Sequence, residues 1–139
     1  MPATVQQSSF PATLDGFNAQ FDALRAWLDE KEVPARPHYQ IELVFEEVAT
    51  NIIRYGFDDA TGETVDLTYA HTGDHVVMTF CDNGRPFNPL EQAEPKKAAR
   101  IEDADIGGLG IKLVRQTAED ITYERTADHR NKLTVSIRL

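Results

Sequence analysis

The chain has 139 residues, 41% hydrophobic and 27% charged, which is ordinary for one globular domain spanning 1–139. Its formal charge of -9 and pI near 4.8 argue against a DNA- or RNA-binding face. A single cysteine, Cys81, excludes an internal disulfide and fits a reducing compartment, and no apolar run approaches the roughly 20 residues that span a bilayer. The first ten residues lack a basic stretch followed by an apolar one, so no signal peptide is evident and a cytoplasmic location is expected, without nucleic-acid or membrane contact.

Residues 4–10 are polar with scattered apolar side chains and suit an edge strand. Pro11 and Thr13 then open a helical pattern in which Leu14, Phe17, Phe21, Leu24, Trp27 and Leu28 recur at three- and four-residue steps. It stops near Val33 and Pro34. Pro37 suits the first turn of a second helix that runs to about Tyr55, with Gly56 as its stop. Residues 64–71 and 75–82 alternate or run apolar as two strands, with Thr72, Gly73 and Asp74 between them as a hairpin turn.

Residues 88–106 hold Pro89, Pro95, two lysines and several acids with little apolar periodicity, and read as a long loop of the kind that is usually functional or disordered. A short helix over 108–118 and two strands over 121–125 and 132–139 follow. The order β-α-α-β-β-loop-α-β-β predicts an α/β (α+β) two-layer sandwich: a mixed, mostly antiparallel sheet covered on one face by helices.

Three stretches carry candidate chemistry. On a helical wheel Ile41, Phe45, Val48 and Ile52 form the core stripe, and Glu47 and Asn51 lie together on one flank, one turn apart. Glu46 points elsewhere, toward solvent. A carboxylate at the border of a core can act as a general base, and an amide oxygen beside it can ligate a hard cation such as Mg²⁺. The plain alternative is a hydrogen-bonded helical pair without chemistry.

In the second stretch, Asp82 ends an apolar strand before Asn83 and Gly84. It reads either as turn chemistry or as an acid that accepts the amine of adenine, with Gly84 admitting close backbone approach and Pro86-Phe87 adding apolar wall. In the third, Gly107, Gly108 and Gly110 open a helix and offer either free N–H groups to phosphate or a hinge. No Gly-Lys-Ser/Thr follows and no βαβ unit precedes, which excludes a P-loop and disfavours a dinucleotide fold.

The four histidines, His38, His71, His75 and His129, lack zinc spacing, Cys81 reads as a packed core residue, and no serine sits in a nucleophile elbow. Lys96, Lys97, Arg100, Arg85 and Arg115 read individually as solvated charges.

Taken together, Glu-x-x-x-Asn, Asp-x-Gly-x-Pro-Phe and Gly-Gly-x-Gly-Ile resemble the three nucleotide-binding boxes of the GHKL ATPases, which include gyrase, MutL and histidine kinases. Residues 45–56 and 107–116 are more closely similar to the stand-alone anti-sigma-factor serine kinases of the RsbW and SpoIIAB type, and the similarity extends over about 10–139. One departure is Tyr55, which precedes Gly56 where that subfamily often has histidine.

The resemblance implies a Bergerat ATP-binding fold, ATP or ADP with Mg²⁺ as cofactors, and an ATP lid at 88–106. It implies Glu47 as catalytic base, Asn51 as Mg²⁺ ligand, and Asp82 with Gly84 at the adenine. It also implies Thr134 at the adenine through a water, and Gly107, Gly108 and Gly110 at the phosphates. The family binds a sigma factor, phosphorylates a serine on an anti-anti-sigma protein of the STAS type, and often forms homodimers. A non-catalytic switch, in which nucleotide orders a binding surface, is the alternative from a different class. The catalytic domain of a two-component histidine kinase fits less well, because the chain has no room for a separate phosphoacceptor helix pair.

Overall fold

A computed structural model describes residues 4–91 and 106–139. Five strands and three helices follow one another in the expected order: β1 Thr4–Pro11, α1 Leu14–Glu30, α2 Ala35–Tyr55, β2 Thr64–His71, β3 His75–Asp82, α3 Ile106–Thr117, β4 Asp120–Arg125 and β5 Asn131–Arg138. A short 3-10 turn, Pro89–Glu91, lies at the start of the expected lid; most of that segment lies outside the described residues.

The sheet order is β1-β2-β3-β5-β4. Every neighbouring pair is antiparallel, so the expected mixed sheet is corrected to an antiparallel one among the described residues. β5 pairs on one side with β3 and on the other with β4, which places Asn131 directly opposite Asp82. Alternation fixes which side chains face the helices: Val65, Leu67 and Tyr69 of β2, Val76, Met78 and Phe80 of β3, and Leu133, Val135 and Ile137 of β5 are all buried.

Thr13 caps α1, accepting from the Gly16 N–H at 3.0 Å. Leu24 and Leu28 then point into the core with Trp27, whose ring meets Tyr69 edge-on with centroids 4.8 Å apart. α2 lays Ile41, Val44, Phe45, Val48 and Ala49 on the sheet. Phe45 is fully buried amid Phe10, Phe17, Phe21 and Phe80, with centroids 5.2 to 6.3 Å from its own. Truncating such a ring to alanine typically costs about 3–5 kcal/mol.

Helix α2 stops at Gly56, though for a different reason from the usual left-handed cap. Its φ is -74°, and a Cβ there would stand 2.6 Å from the Ile52 carbonyl oxygen. Gly73, at φ 100°, supplies the positive dihedral that the β2–β3 turn needs. Cys81 is corrected from a core position: it faces the uncovered side of the sheet, half-buried, where burial pushes its thiol pKa up against the lowering charges of Arg130 and Lys132. Among the described residues, no helix is long and apolar enough to cross a membrane.

Candidate active site

At one end of the layered helices and sheet is a small cavity open to solvent, about 40 Å³ in volume. Its walls are mostly apolar: Val48 and Ile52 of α2, Phe87 and Pro89 after β3, Ile111 of α3, and Leu133 of β5. Asn51, Asp82 and Asn131 supply the polar groups, and the Tyr123 ring closes one side. An apolar cleft with a few convergent polar atoms is the usual form of a small-molecule site.

Asp82 is the last residue of β3 and is 3% exposed, because the alternation that buries Met78 and Phe80 carries it inward too. Its Oδ1 accepts the Gly84 N–H at 2.8 Å and the Asn131 Nδ2 at 3.1 Å. Among the described residues both bonds fall on one oxygen, leaving Oδ2 as the acceptor for a donor in the cavity. Gly84 has no room for a side chain: a Cβ would lie 2.7 Å from Asp82 Oδ1 and 2.7 Å from the Gly56 carbonyl oxygen. The same carbonyl accepts the Arg85 N–H at 2.9 Å, so the end of α2 and the turn after β3 are packed backbone to backbone.

Asn131 is a residue the sequence reading passed over. It is 6% exposed, and its Nδ2 donates to Asp82 and to the Arg85 carbonyl at 2.8 Å. Its Oδ1 accepts from the Phe87 N–H at 3.3 Å, from Arg125 Nη1 at 3.1 Å and from the Tyr123 hydroxyl. Arg125 also donates to the Gly84 carbonyl at 2.9 Å. One carboxamide thus ties the strand-end acid to the turn that follows it. The available signal was a polar residue heading the stripe Asn131, Leu133, Val135, Ile137, the buried face of a strand.

Farther from the cavity, Arg130 braces the same turn from the uncovered side. Its Nε donates to Asn83 Oδ1 at 2.9 Å and its Nη2 to Asp66 Oδ2 at 2.8 Å, a bond that raises its pKa. Arg85 pairs with Asp58 at 2.6 Å on the surface, where such a pair contributes little.

On α2 the expected split between the two glutamates is present: Glu46 is exposed and Glu47 is half-buried. Burial raises the pKa of Glu47, the charge of Glu46 adds to the rise, and Arg54 opposes it. Glu47 lies against α3 at Gly110, where a Cβ would fall on its carboxylate. One turn on, Asn51 is 7% exposed and its Nδ2 has no hydrogen-bond partner among the described residues. A buried unpaired amide of this kind costs about 1–3 kcal/mol. Nδ2 is a donor, so the partner it lacks is an acceptor, such as a ligand oxygen or a water.

The donor set bears on a metal. Among the described residues no three His, Cys, Asp or Glu side chains come together, so the protein alone offers no closed metal cage. Mg²⁺ is commonly held by one or two protein oxygens together with substrate phosphates and water. Asn51, with Glu47 one turn away and the first turn of α3 nearby, fits that mode.

The structure therefore gathers Asn51, Asp82 and Phe87 on one cavity with Gly84 beside them, and sets Glu47 against Gly110, each next in sequence to a lining residue, Val48 and Ile111. Gly107 and Gly108 fall in the first turn of α3, at the positive end of the helix. Thr134 is not brought in. It pairs with Thr79 and Thr122 on the uncovered face, whereas Asp82, Asn131 and Leu133 face the helices. A one-residue step along a strand reverses the face, so the expectation for Thr134 fails on register.

Comparison with known proteins shows the family. A family model described as a histidine kinase-like ATPase domain matches residues 10–137. The chain belongs to that family. The serine/threonine-protein kinase BtrW of Bordetella bronchiseptica is 29% identical over 102 residues, covering 73% of this chain and 71% of BtrW.

The fold is similar to that in the SiaB–SiaC complex of Pseudomonas aeruginosa, with a TM-score of 0.63 at 16% identity, covering 96% of this chain and 89% of the other. It is also similar to the structure of the RsbU and RsbW domains of a Mycobacterium tuberculosis protein, with a TM-score of 0.66 at 18% identity; the match covers 99% of this chain but 33% of the other. At these identities the two structures show a shared fold, and the family model shows the histidine kinase-like ATPase domain.

Proposed function

We propose that the chain binds ATP with Mg²⁺ in this cavity and acts as a protein serine/threonine kinase on an anti-anti-sigma partner of the STAS type, so regulating a sigma factor from the cytoplasm, as a homodimer. The observation that carries the reading is the meeting of Asn51, Asp82 and Phe87 on one apolar cleft, with Glu47, whose pKa burial raises, next in sequence to its lining residue Val48. The similarity to BtrW, a serine/threonine-protein kinase, supports the activity.

In this reading Asp82 Oδ2 accepts the exocyclic amine of adenine, and Phe87, Ile111 and Leu133 cover the ring. Gly107 and Gly108 offer the free N–H groups of the α3 start to phosphate. Asn51 supplies an oxygen to Mg²⁺, whose contribution when bound is to neutralise phosphate charge. Glu47 takes the proton of the acceptor serine as its oxygen forms a bond to the γ-phosphorus and the bond to the departing ADP oxygen breaks. A base whose pKa is raised toward neutrality is suited to that transfer.

Calorimetry with ATP and Mg²⁺ on wild type and Asp82→Asn tests the site: binding lost in the variant is expected, and equal affinity would refute the purine-reading role. Transfer of label from ATP to the serine of a STAS-type partner then separates the kinase from a nucleotide-dependent switch. Tight binding with no transfer to any such partner would replace the first reading with the second.

A further inference from the structure

We propose that Gly110 is a positioning residue for Glu47, its missing side chain leaving the place on α3 where the Glu47 carboxylate rests. The inference rests on the reading of Glu47 as the base. It departs from the expectation that all three glycines serve phosphate.

Gly110 is the fifth residue of α3. Its N–H lies beyond the four unpaired N–H groups of a helix start, so the helix itself engages it. Within a helix glycine is a weaker choice than alanine, and a residue at this point invites a local reason. The surroundings give one. The three atoms nearest to a Cβ placed at Gly110 all belong to Glu47: Oε2, Cδ at 2.6 Å and Cγ at 3.3 Å. The Glu47 carboxylate makes no hydrogen bond or ion pair among the described residues, so packing against Gly110 is what fixes it there. Glu46 and Arg54 act on its charge from α2 but not on its place. The displaced group would be the end of a flexible side chain rather than backbone, so a methyl at residue 110 moves the acid without breaking the helix pair.

Gly110→Ala provides the test, read by thermal unfolding, by calorimetry with MgADP, by the carboxyl ¹³C resonance of Glu47, and by phosphoryl transfer. The expected result is an unchanged or higher Tm, MgADP affinity within about threefold of wild type, and a displaced Glu47 resonance. Transfer is expected to fall tenfold or more in kcat with little change in KM. Glu47→Asp, one methylene shorter, makes room for the methyl, so Gly110→Ala should have a much smaller effect in that background.

An unmoved Glu47 resonance together with MgADP affinity lowered tenfold would overturn the proposal and return Gly110 to the phosphates. A Tm lowered by Gly110→Ala and not recovered in the Glu47→Asp background would also overturn it. The resonance and the MgADP affinity do not depend on catalysis, so absent transfer by the wild type would refute the kinase reading alone.

Discussion

Asn131→Ala removes the carboxamide that joins β5 to the turn after β3, and its effect can be worked from the bonds lost. Asp82 Oδ1 keeps the Gly84 N–H, so the acid is not orphaned. Tyr123 and Arg125, at the cavity rim, can turn to water. The Arg85 carbonyl and the Phe87 N–H lose their Asn131 partner in a partly buried setting. At about 1–2 kcal/mol for each stranded group, the lower part of the usual range because both sit in a partly buried setting, the loss is about 2–4 kcal/mol. For a domain of this size that corresponds to a fall of about 6–15 °C in Tm.

Nucleotide affinity should fall as well, because Asp82 and Phe87 lose their common tie; about tenfold is expected for a loss near 1.4 kcal/mol. Circular dichroism melts and calorimetry on the same preparation measure both. A Tm lowered by less than about 2 °C, or an unchanged affinity, would refute the account of Asn131 as the organiser of the site. Asn131→Asp sharpens the test. It sets a second carboxylate opposite Asp82, and like charges so close raise the pKa of the pair. That variant should be at least as unstable as alanine at neutral pH and recover as the pH falls, whereas the alanine variant should show no such recovery.

Glu47→Gln should abolish transfer while leaving MgADP affinity near wild type. Because the folded pKa of Glu47 is raised above its ordinary value of 4.5, its stabilising contribution is present below that value and is lost as pH climbs through the folded pKa. At neutral pH the glutamine variant should therefore be as stable as wild type or more so, and a clear loss in chemical denaturation would count against the burial argument. His75, held by Asp74 and by Glu119, has its pKa raised above 6.5, so its contribution is present below 6.5 and disappears as pH rises through the folded value. Glu119→Gln should lower the His75 midpoint in an NMR titration; an unmoved midpoint would show the contact to be idle. Gly84→Ala should cost about 1–3 kcal/mol by forcing a methyl between Asp82 and the Gly56 carbonyl, and a urea midpoint equal to wild type would show that the turn yields freely.

Much of this was legible in the chain because the periodicities are strong. The α1 and α2 stripes, the β2–β3 hairpin around Gly73 and the split of Glu46 from Glu47 follow from spacing alone, since each depends on neighbours within a turn or two. What depended on pairing at a distance was not legible. Nothing local says that β5 enters between β3 and β4, and hence that Asn131 rather than Thr134 stands opposite Asp82. Cys81 was misplaced for a related reason. An apolar run around it suggested the core, while the register that buries Phe80 and Asp82 turns Cys81 to the other face. Gly56 shows a third limit, since its close contact with the turn at Gly84 is made across the fold.

The place of β5 in the sheet has a consequence for how the protein is made. Asp82 and Asn131 are 49 residues apart in sequence yet joined by a hydrogen bond, so the cavity is a high-contact-order feature, like the pairing of β1 with β2 across both first helices. The β2–β3 hairpin, the helical hairpin and the β1 edge can come together as the chain leaves the ribosome, but β3 must wait with an unsatisfied edge until the last strand of the sheet is synthesised. Nucleotide can be held only after that strand has entered. In a growing chain, capture of nucleotide would therefore mark the completion of the sheet, and a ligand would slow amide exchange in the central strands β3 and β5 more than at the β1 edge.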